Sequence, residues 1–403
     1  MTPPWHRLPP SHSPLSSGSL RHALVAILGR DDPRPAFARQ LAEAYLADEA
    51  QLTDSGTDAL QLVLAAHAAA PIALPAYACF DLATAAVAAG APLALYDVDP
   101  ETLGPDLPSL TRCLAGGART VVIAPLYGIP VDWGLITRAV APWSPTLIED
   151  AAQGSGASWE GRPVGALAPT SILSFGRGKG WTGGSGGAVL HRRPIADRTP
   201  EPGPRPTWRR EAAGWGVAAG QWLFARPGLY AVPASIPALH LGETRYRSPE
   251  ASRPMRRGAA ALLLASWDAA REEAAHRRAT AAELREELAQ VHGIKIIEAP
   301  TRGVAGALRL PVLIERGGRA LADAAWARRL GIGPAYPTSL ARLAPVCDRL
   351  LPWCRRNTWP GAESLVHRLV TLPTHSLVTA ADRREVVDGV TRYATACPLS
   401  SRP

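Results

Sequence analysis

Thr120-Val-Val-Ile-Ala-Pro125, a helix-spaced stretch near Leu135–Val140 and Thr146-Leu-Ile-Glu149 form one strand–helix–strand unit, and that unit decides the fold. Its two apolar runs are short and rich in β-branched residues, and the stretch between them has helical spacing. The pattern repeats towards the N-terminus. A helix over Ala59–Ala70 leads to a strand, Ile72-Ala-Leu-Pro75; a helix over Leu82–Ala89 leads to a strand over Leu93–Val98; and a helix follows near Leu107–Leu114. Downstream, Ser171-Ile-Leu-Ser-Phe175 and Ala188-Val-Leu-His191 read as a closing pair of strands. This alternation predicts an α/β fold, a mostly parallel sheet wrapped by helices.

The flanks read differently. Residues 1–35 form an N-terminal arm, extended over 1–20, and the helical spacing of Ala36–Ala47 opens a large α/β domain over 36–192. Residues 193–250 are rich in Pro, Arg and Trp and enclose an apolar stretch, Trp215–Ala225, that Arg226-Pro227 interrupts. This insertion reads as a helical element packed on the body. The sharper alternative is an interfacial or partner-binding element, with peripheral membrane contact through 215–225. Residues 251–403 begin with a long helical pattern from about Pro254 to Val291. Strand-like Ile294-Lys-Ile-Ile297, Ala307-Leu-Arg-Leu-Pro311 and Val370-Thr-Leu-Pro373 follow, as in a smaller α+β domain.

Of the 43 basic side chains in 403 residues only two are lysines, Lys179 and Lys295. Lys179 lies in a small-residue stretch, Ser174-Phe-Gly-Arg-Gly-Lys-Gly-Trp-Thr-Gly-Gly-Ser-Gly-Gly187, where backbone approaches a ligand closely. Arginine keeps its proton, whereas a lysine amine can become neutral and nucleophilic. A chain that avoids lysine and keeps one here points to covalent amine chemistry, most simply a Schiff base. The alternative is an exposed lysine beside a flexible loop. Lys295 sits in a strand pattern and reads as structural. The net charge of +8 follows a chain-wide preference for arginine, and the arginines are scattered, so nucleic acid is not an expected partner. The five cysteines are odd in number and form no Cys-x-x-Cys pair, which argues against a disulfide framework or a metal site and for a reducing, cytoplasmic compartment. The N-terminus lacks the apolar core of a signal peptide, and no apolar run is long enough for a spanning helix.

Polar groups gather where the strands should end, and parallel α/β sheets bind ligands at the carboxyl ends of their strands. Ser55-Gly56-Thr57 precedes a helix, so its amides and the helix dipole suit a phosphate. Asp150 ends an apolar strand, where a carboxylate needs a cation or several donors. A protonated pyridine nitrogen is one such cation, and an N-cap role for Asp150 is the alternative. Gln153 can reach the same ligand, and Ser174 can offer its hydroxyl to a phosphate. Together these parts describe a pyridoxal 5'-phosphate site built on Lys179.

Several segments carry a family resemblance in the right order over most of residues 10–395. They are Asp54-Ser-Gly-Thr-Asp-Ala-Leu60, Leu74-Pro-Ala-Tyr77, Gly90–Leu103, Pro125-Leu-Tyr-Gly128, Ile148-Glu-Asp-Ala-Ala-Gln153 and Ser174-Phe-x-x-x-Lys179 with Gly186-Gly-Ala-Val189. Ala335-Tyr-Pro337 and Leu372-Pro-Thr-His375 continue it. The chain resembles the DegT/DnrJ/EryC1/StrS aminotransferases, which are fold-type I pyridoxal-phosphate enzymes acting mostly on nucleotide-linked keto sugars. The resemblance implies that Lys179 is the Schiff-base lysine and general acid/base and that Asp150 pairs with the pyridine nitrogen. It implies that Gln153 lies near the phenolic oxygen and that Gly56, Thr57 and Ser174 hold the phosphate. It implies an aromatic ring over the cofactor, with Phe80 as candidate and Tyr77 or Cys79 as alternatives. It also implies a homodimer, an amino donor such as glutamate or glutamine, and a keto sugar as acceptor. A lysine rather than a histidine at position 179 favours transamination over dehydration. Other readings are a pyridoxal-phosphate sensor or assembly protein and an aminotransferase acting on a non-sugar cyclic ketone. Two segments depart from the family's pattern: Gly176-Arg177-Gly178 replaces Tyr-Pro-Thr, and Ser252-Arg-Pro-Met255 replaces Asn-Tyr-Arg-Met.

Overall fold

The computed structural model describes residues 6–192, 202–204, 206–236 and 244–396. Its centre is a sheet of seven strands. They are β1 (Glu49–Thr53), β2 (Ile72–Pro75), β3 (Leu93–Tyr96), β4 (Thr120–Ile123), β5 (Thr146–Asp150), β8 (Thr170–Ser174) and β9 (Gly187–His191). The short β6 (Ser158–Trp159) and β7 (Arg162–Pro163) pair outside it. The order is β1-β9-β8-β5-β4-β2-β3. The five strands from β8 to β3 run parallel, while β9 is antiparallel to both β8 and β1. The predicted mostly parallel α/β sheet is therefore present. β2, β3 and β4 are buried along their whole length, which is why they read as continuous apolar runs rather than alternating ones.

Helices cover the sheet. α1 (Ser17–Leu28) lies inside the stretch expected to be an arm, and a capping box between Ser16 and Ser19 starts it. α2 (Arg34–Ala44), α3 (Gly56–Ala66), α4 (Phe80–Ala89), α5 (Leu107–Ala115) and α6 (Trp133–Val140) follow in turn. Ahead of α1, the chain from His6 is fixed by Leu8 N–H donating to the Arg329 carbonyl (2.9 Å) and by the His375 ring bonding the Pro9 carbonyl (2.8 Å).

The insertion is helical where it is described. α7 (Trp208–Phe224) and α8 (Pro227–Ala234) are separated at Ala225-Arg226, where Pro227 forces a new start. Parts of the predicted 193–250 insertion lie outside the described residues. α7 packs on α1 through Ala218, Trp215 and Trp222 against Leu20 and Ala23. The expected long helix from Pro254 to Val291 is two helices, α9 (Arg257–Ala265) and α10 (Trp267–Leu288). Ser266 divides them: its hydroxyl bonds back to the Leu262 carbonyl (2.8 Å) and accepts from Trp181 Nε1 (3.1 Å), which draws the backbone out of helix.

A second sheet, antiparallel, has the order β10-β12-β14-β13. Its strands are β10 (Ile294–Ile296), β12 (Leu310–Ile314), β13 (Gly333–Pro334) and β14 (Leu369–Leu372), while β11 (Gly303–Val304) pairs with β6 instead. Its core joins Leu310, Val312 and Ile314 to Leu284 and Leu288 of α10 and to Val386 and Val390 of the final helix. Among the described residues no helix is long and apolar enough to cross a membrane.

Candidate active site

The carboxyl ends of β4, β5 and β8 and the N-termini of α3 and α4 meet at one cleft. Its inner part is lined by Gly56, Thr57, Cys79, Asp150, Gln153 and Lys179, with Ser174 beside them. It opens into a cavity of about 710 Å³ that shares Gly56, Thr57, Ser174 and Lys179. Six of the seven predicted site residues thus face one space.

One end of the cleft is built by α3. Ser55 caps the helix by accepting from Asp58 N–H (3.0 Å), and the first-turn residues Gly56 and Thr57 line the cleft. Gly56 is buried against Ser174, where a Cβ would stand 2.6 Å from Ser174 Cβ and 2.7 Å from its Oγ. Only glycine lets the helix start and the serine hydroxyl share this spot. Beneath them lies a lock that the sequence did not disclose. Arg256 Nε and Arg210 Nη2 hold the Asp54 carboxylate at 2.9 and 3.0 Å, and Ser185 bonds both Asp54 and Arg256. Arg210 comes from α7, as do Gly214, Val217 and Gln221 of the cavity wall. The insertion is therefore one side of the cleft.

Asp150 closes β5 and is 7% exposed. The only hydrogen bond to its carboxylate among the described residues comes from Ala152 N–H (3.1 Å). Burial pushes its pKa up, and the positive charge of Lys179 works in the opposite direction. A carboxylate this buried with one donor still lacks a partner. Gln153 is held on both ends of its amide. Its Oε1 accepts from Tyr127 N–H (3.0 Å) and its Nε2 donates to Tyr336 Oη (2.7 Å). Tyr336 belongs to the Ala335-Tyr-Pro337 segment, and its ring meets those of Tyr77 and Tyr127.

Phe80 is the residue not brought to the cleft. It opens α4, is 4% exposed and turns its ring towards Tyr336, with centroids 6.4 Å apart. Tyr77 is buried as well, its hydroxyl 3.3 Å from that of Tyr127. Cys79 faces the cleft instead, and burial pushes its thiol up to about 12, which keeps it neutral. Lys295 stands on the surface with its Nζ 2.6 Å from the Glu101 carboxylate.

A family model of the DegT/DnrJ/EryC1/StrS aminotransferases matches residues 29–199 and 247–391. The chain belongs to this family. The unmatched gap contains α7 and α8. Among curated proteins, the 3-amino-5-hydroxybenzoate synthase of Amycolatopsis mediterranei (strain S699) is 33% identical over 159 residues, which is 38% of this chain and 40% of that protein. The L-glutamine:2-deoxy-scyllo-inosose aminotransferase of Streptomyces fradiae is 32% identical over 167 residues, 41% of this chain and 39% of that protein. The matched span is about two fifths of each relative's own length. Among solved structures, DesI in the presence of its TDP-sugar product superposes with a TM-score of 0.74 at 22% identity, covering 97% of this chain and 94% of that one. That likeness establishes the fold, which is the fold-type I architecture of pyridoxal-phosphate-dependent transferases.

Proposed function

We propose that this chain is a pyridoxal-phosphate-dependent aminotransferase that moves an amino group from glutamate or glutamine to a keto sugar, nucleotide-linked, in the biosynthesis of a polysaccharide or secondary metabolite. The observation that carries this reading is the under-bonded, buried Asp150 in the same cleft as Lys179. A carboxylate in that state fits a protonated ring nitrogen, which would supply the missing charge-assisted bond. The rest of the cleft fits the same group. The first-turn amides at Gly56 and Thr57 and the Ser174 hydroxyl suit the phosphate, Gln153 suits the phenolic oxygen, and Lys179 supplies the amine.

Pyridoxal phosphate, when bound, supplies an electron sink that lets an amino acid's α-carbon lose its proton. The chain's own residues do the rest. Lys179 Nζ takes up that proton and delivers it again, as a general acid/base must. A positive charge held opposite Asp150 would offset the burial that raises its pKa and so favour the carboxylate. The paired bonds of Gln153 fix its amide in one orientation. In the net reaction the donor leaves as a 2-keto acid and the ketone leaves as an amine, so nitrogen and electrons balance.

Reconstitution with pyridoxal phosphate tests this. The purified protein should gain a visible absorbance band that the Lys179→Ala protein lacks, and glutamate or glutamine should convert that band. A silent cofactor would sink the enzyme and leave the sensor reading. A second acceptor class, a carbocyclic ketone without a nucleotide, is favoured by the names of the curated relatives. Mass measurement of the aminated product from a mixed panel of ketones separates the two. We also propose a homodimer in a reducing compartment. The exposed Leu24, Val25 and Leu28 of α1 and Trp208 of α7 support the first, and the free thiols of Cys79, Cys113, Cys347 and Cys354 support the second. Light scattering at several concentrations tests the dimer.

A further inference from the structure

Five residues line both the inner cleft and the larger cavity: Gly56, Thr57, Asp81, Ser174 and Lys179. The proposed function uses four of them and leaves Asp81 over. Asp81 stands in the first turn of α4 and is half-buried. The one hydrogen bond to its carboxylate among the described residues comes from Cys79 Sγ (3.5 Å), and a thiol is a weak donor. Cys79 itself lines the inner cleft, so this contact holds the carboxylate on the cleft side of the helix. An ionised carboxylate accepts about four hydrogen bonds, so most of the capacity of Asp81 is open to a ligand.

The other acids of the two spaces stand elsewhere. Asp150 lines the inner cleft and not the larger cavity, while Asp54, Asp58 and Glu250 line the larger cavity and not the cleft. Asp54 is held by Arg210 and Arg256, and Glu250 lies 3.3 Å from Arg253. Thr84, one turn after Asp81, also lines the larger cavity, but its hydroxyl donates to the Arg247 carbonyl (2.9 Å). Asp81 is therefore the carboxylate at the junction of the two spaces.

We propose that Asp81 determines acceptor specificity by accepting a hydrogen bond from a hydroxyl next to the ketone. The proposal rests on the aminotransferase reading. The ketone carbon of an acceptor must reach the space at Lys179, and the rest of the molecule extends into the larger cavity. Groups that flank the ketone then lie at the junction. In a sugar or a cyclic polyol those groups are hydroxyls, and a hydroxyl that donates to a carboxylate makes a strong, charge-assisted bond. The amino donor has no such claim on Asp81, because its own carboxylates carry the same charge. An acid in the first turn also steadies a helix through its dipole, but that role favours neither substrate over the other.

Absorbance follows the two halves of amino transfer separately: glutamate converts the band, and a ketone restores it. Asp81→Ala should slow the second half by about tenfold or more, the worth of a charge-assisted hydrogen bond, with the ketone that the wild type aminates from the mixed panel. The first half should keep its rate. Asp81→Asn retains a neutral acceptor oxygen and should fall between the two proteins, which carries the test should Asp81→Ala misfold. Variants that slow both halves alike, or neither, overturn the proposal and leave the aminotransferase reading standing. Should glutamate or every ketone fail to react, calorimetry of the protein loaded with pyridoxal phosphate reads the site without turnover. Its probes are uridine diphosphate glucose and myo-inositol, two unreactive polyols. Binding of either one that weakens by about tenfold in Asp81→Ala upholds the site, and a silent glutamate then sinks only the aminotransferase reading. Equal binding to wild type and variant, or binding to neither, overturns the site.

Discussion

Glu149 and Asp150 are consecutive residues at the end of β5, and both are buried, yet their surroundings are opposite. Glu149 accepts from Gly165 N–H (2.9 Å), Leu167 N–H (3.0 Å) and Ser171 Oγ (2.9 Å), and Arg192 adds its charge nearby. Arg192 in turn donates from its two Nη groups to the carbonyls of Ala168, Tyr45 and Gly165. Asp150 accepts from one amide. Successive residues of a strand point to opposite faces, so one step along β5 separates a packed side from a cleft side. Burial alone therefore does not mark a functional carboxylate. What marks it is bonding capacity left over after the chain has been counted.

The strongest way to break this comparison is Lys179→Ala. It should lower amino transfer by at least about a thousandfold, the upper range for a proton-transferring group, while thermal unfolding stays near that of the wild type. Loss of fold together with activity would make the lysine structural. Next comes the pair at β5. Asp150→Asn should cut kcat by about a hundredfold or more, as removal of a buried charge partner does, with little change in stability. Glu149→Gln should do the reverse, lowering the unfolding free energy by about 1–3 kcal/mol in denaturant titrations and sparing kcat. Equal effects from both variants would erase the distinction. Gly56→Ala should weaken pyridoxal phosphate binding by about tenfold, because a methyl there displaces Ser174; cofactor release measured by dialysis checks it.

A smaller effect concerns pH. Burial raises the Asp58 carboxyl from 3.8 to about 6. A carboxyl whose folded value is raised favours folding while protonated. Stability is thus highest below its unfolded value and is lost as the pH climbs from 3.8 to about 6. Asp58→Asn should remove that loss, making the protein more stable by about 1–2 kcal/mol at pH 7.5 than the wild type and no more stable at pH 4. Melting curves at the two values test it. The smallest effect belongs to Lys295→Ala. The pair with Glu101 is exposed, so neither stability nor turnover should change measurably.

The parallel strands were legible because burial on both faces leaves only apolar, β-branched residues, as in Thr120–Ile123. β1 escaped notice because Glu49-Ala-Gln-Leu-Thr53 sits at the sheet's edge and reads as polar. The break at Ser266 was invisible because it depends on Trp181, a partner far away in the chain. At the cleft, residue types in sequence pointed to Lys179, Asp150 and the Ser55-Gly56-Thr57 turn, which the structure brings to one space. They did not settle which residue at the start of α4 looks inward, since one position of helical register exchanges Phe80 for Cys79. The Asp54–Arg256–Arg210 lock joins three distant segments and has no local signature.

Gly214 of α7 lies directly on the Arg256 guanidinium, and any side chain there would collide with it. Arg210, one turn earlier on the same helix, shares the Asp54 carboxylate with Arg256. The insertion is thus not a detachable appendage. An engineer who grafts 208–224 onto a relative, or trims it away, would have to carry Asp54, Ser185 and Arg256 along as one cassette.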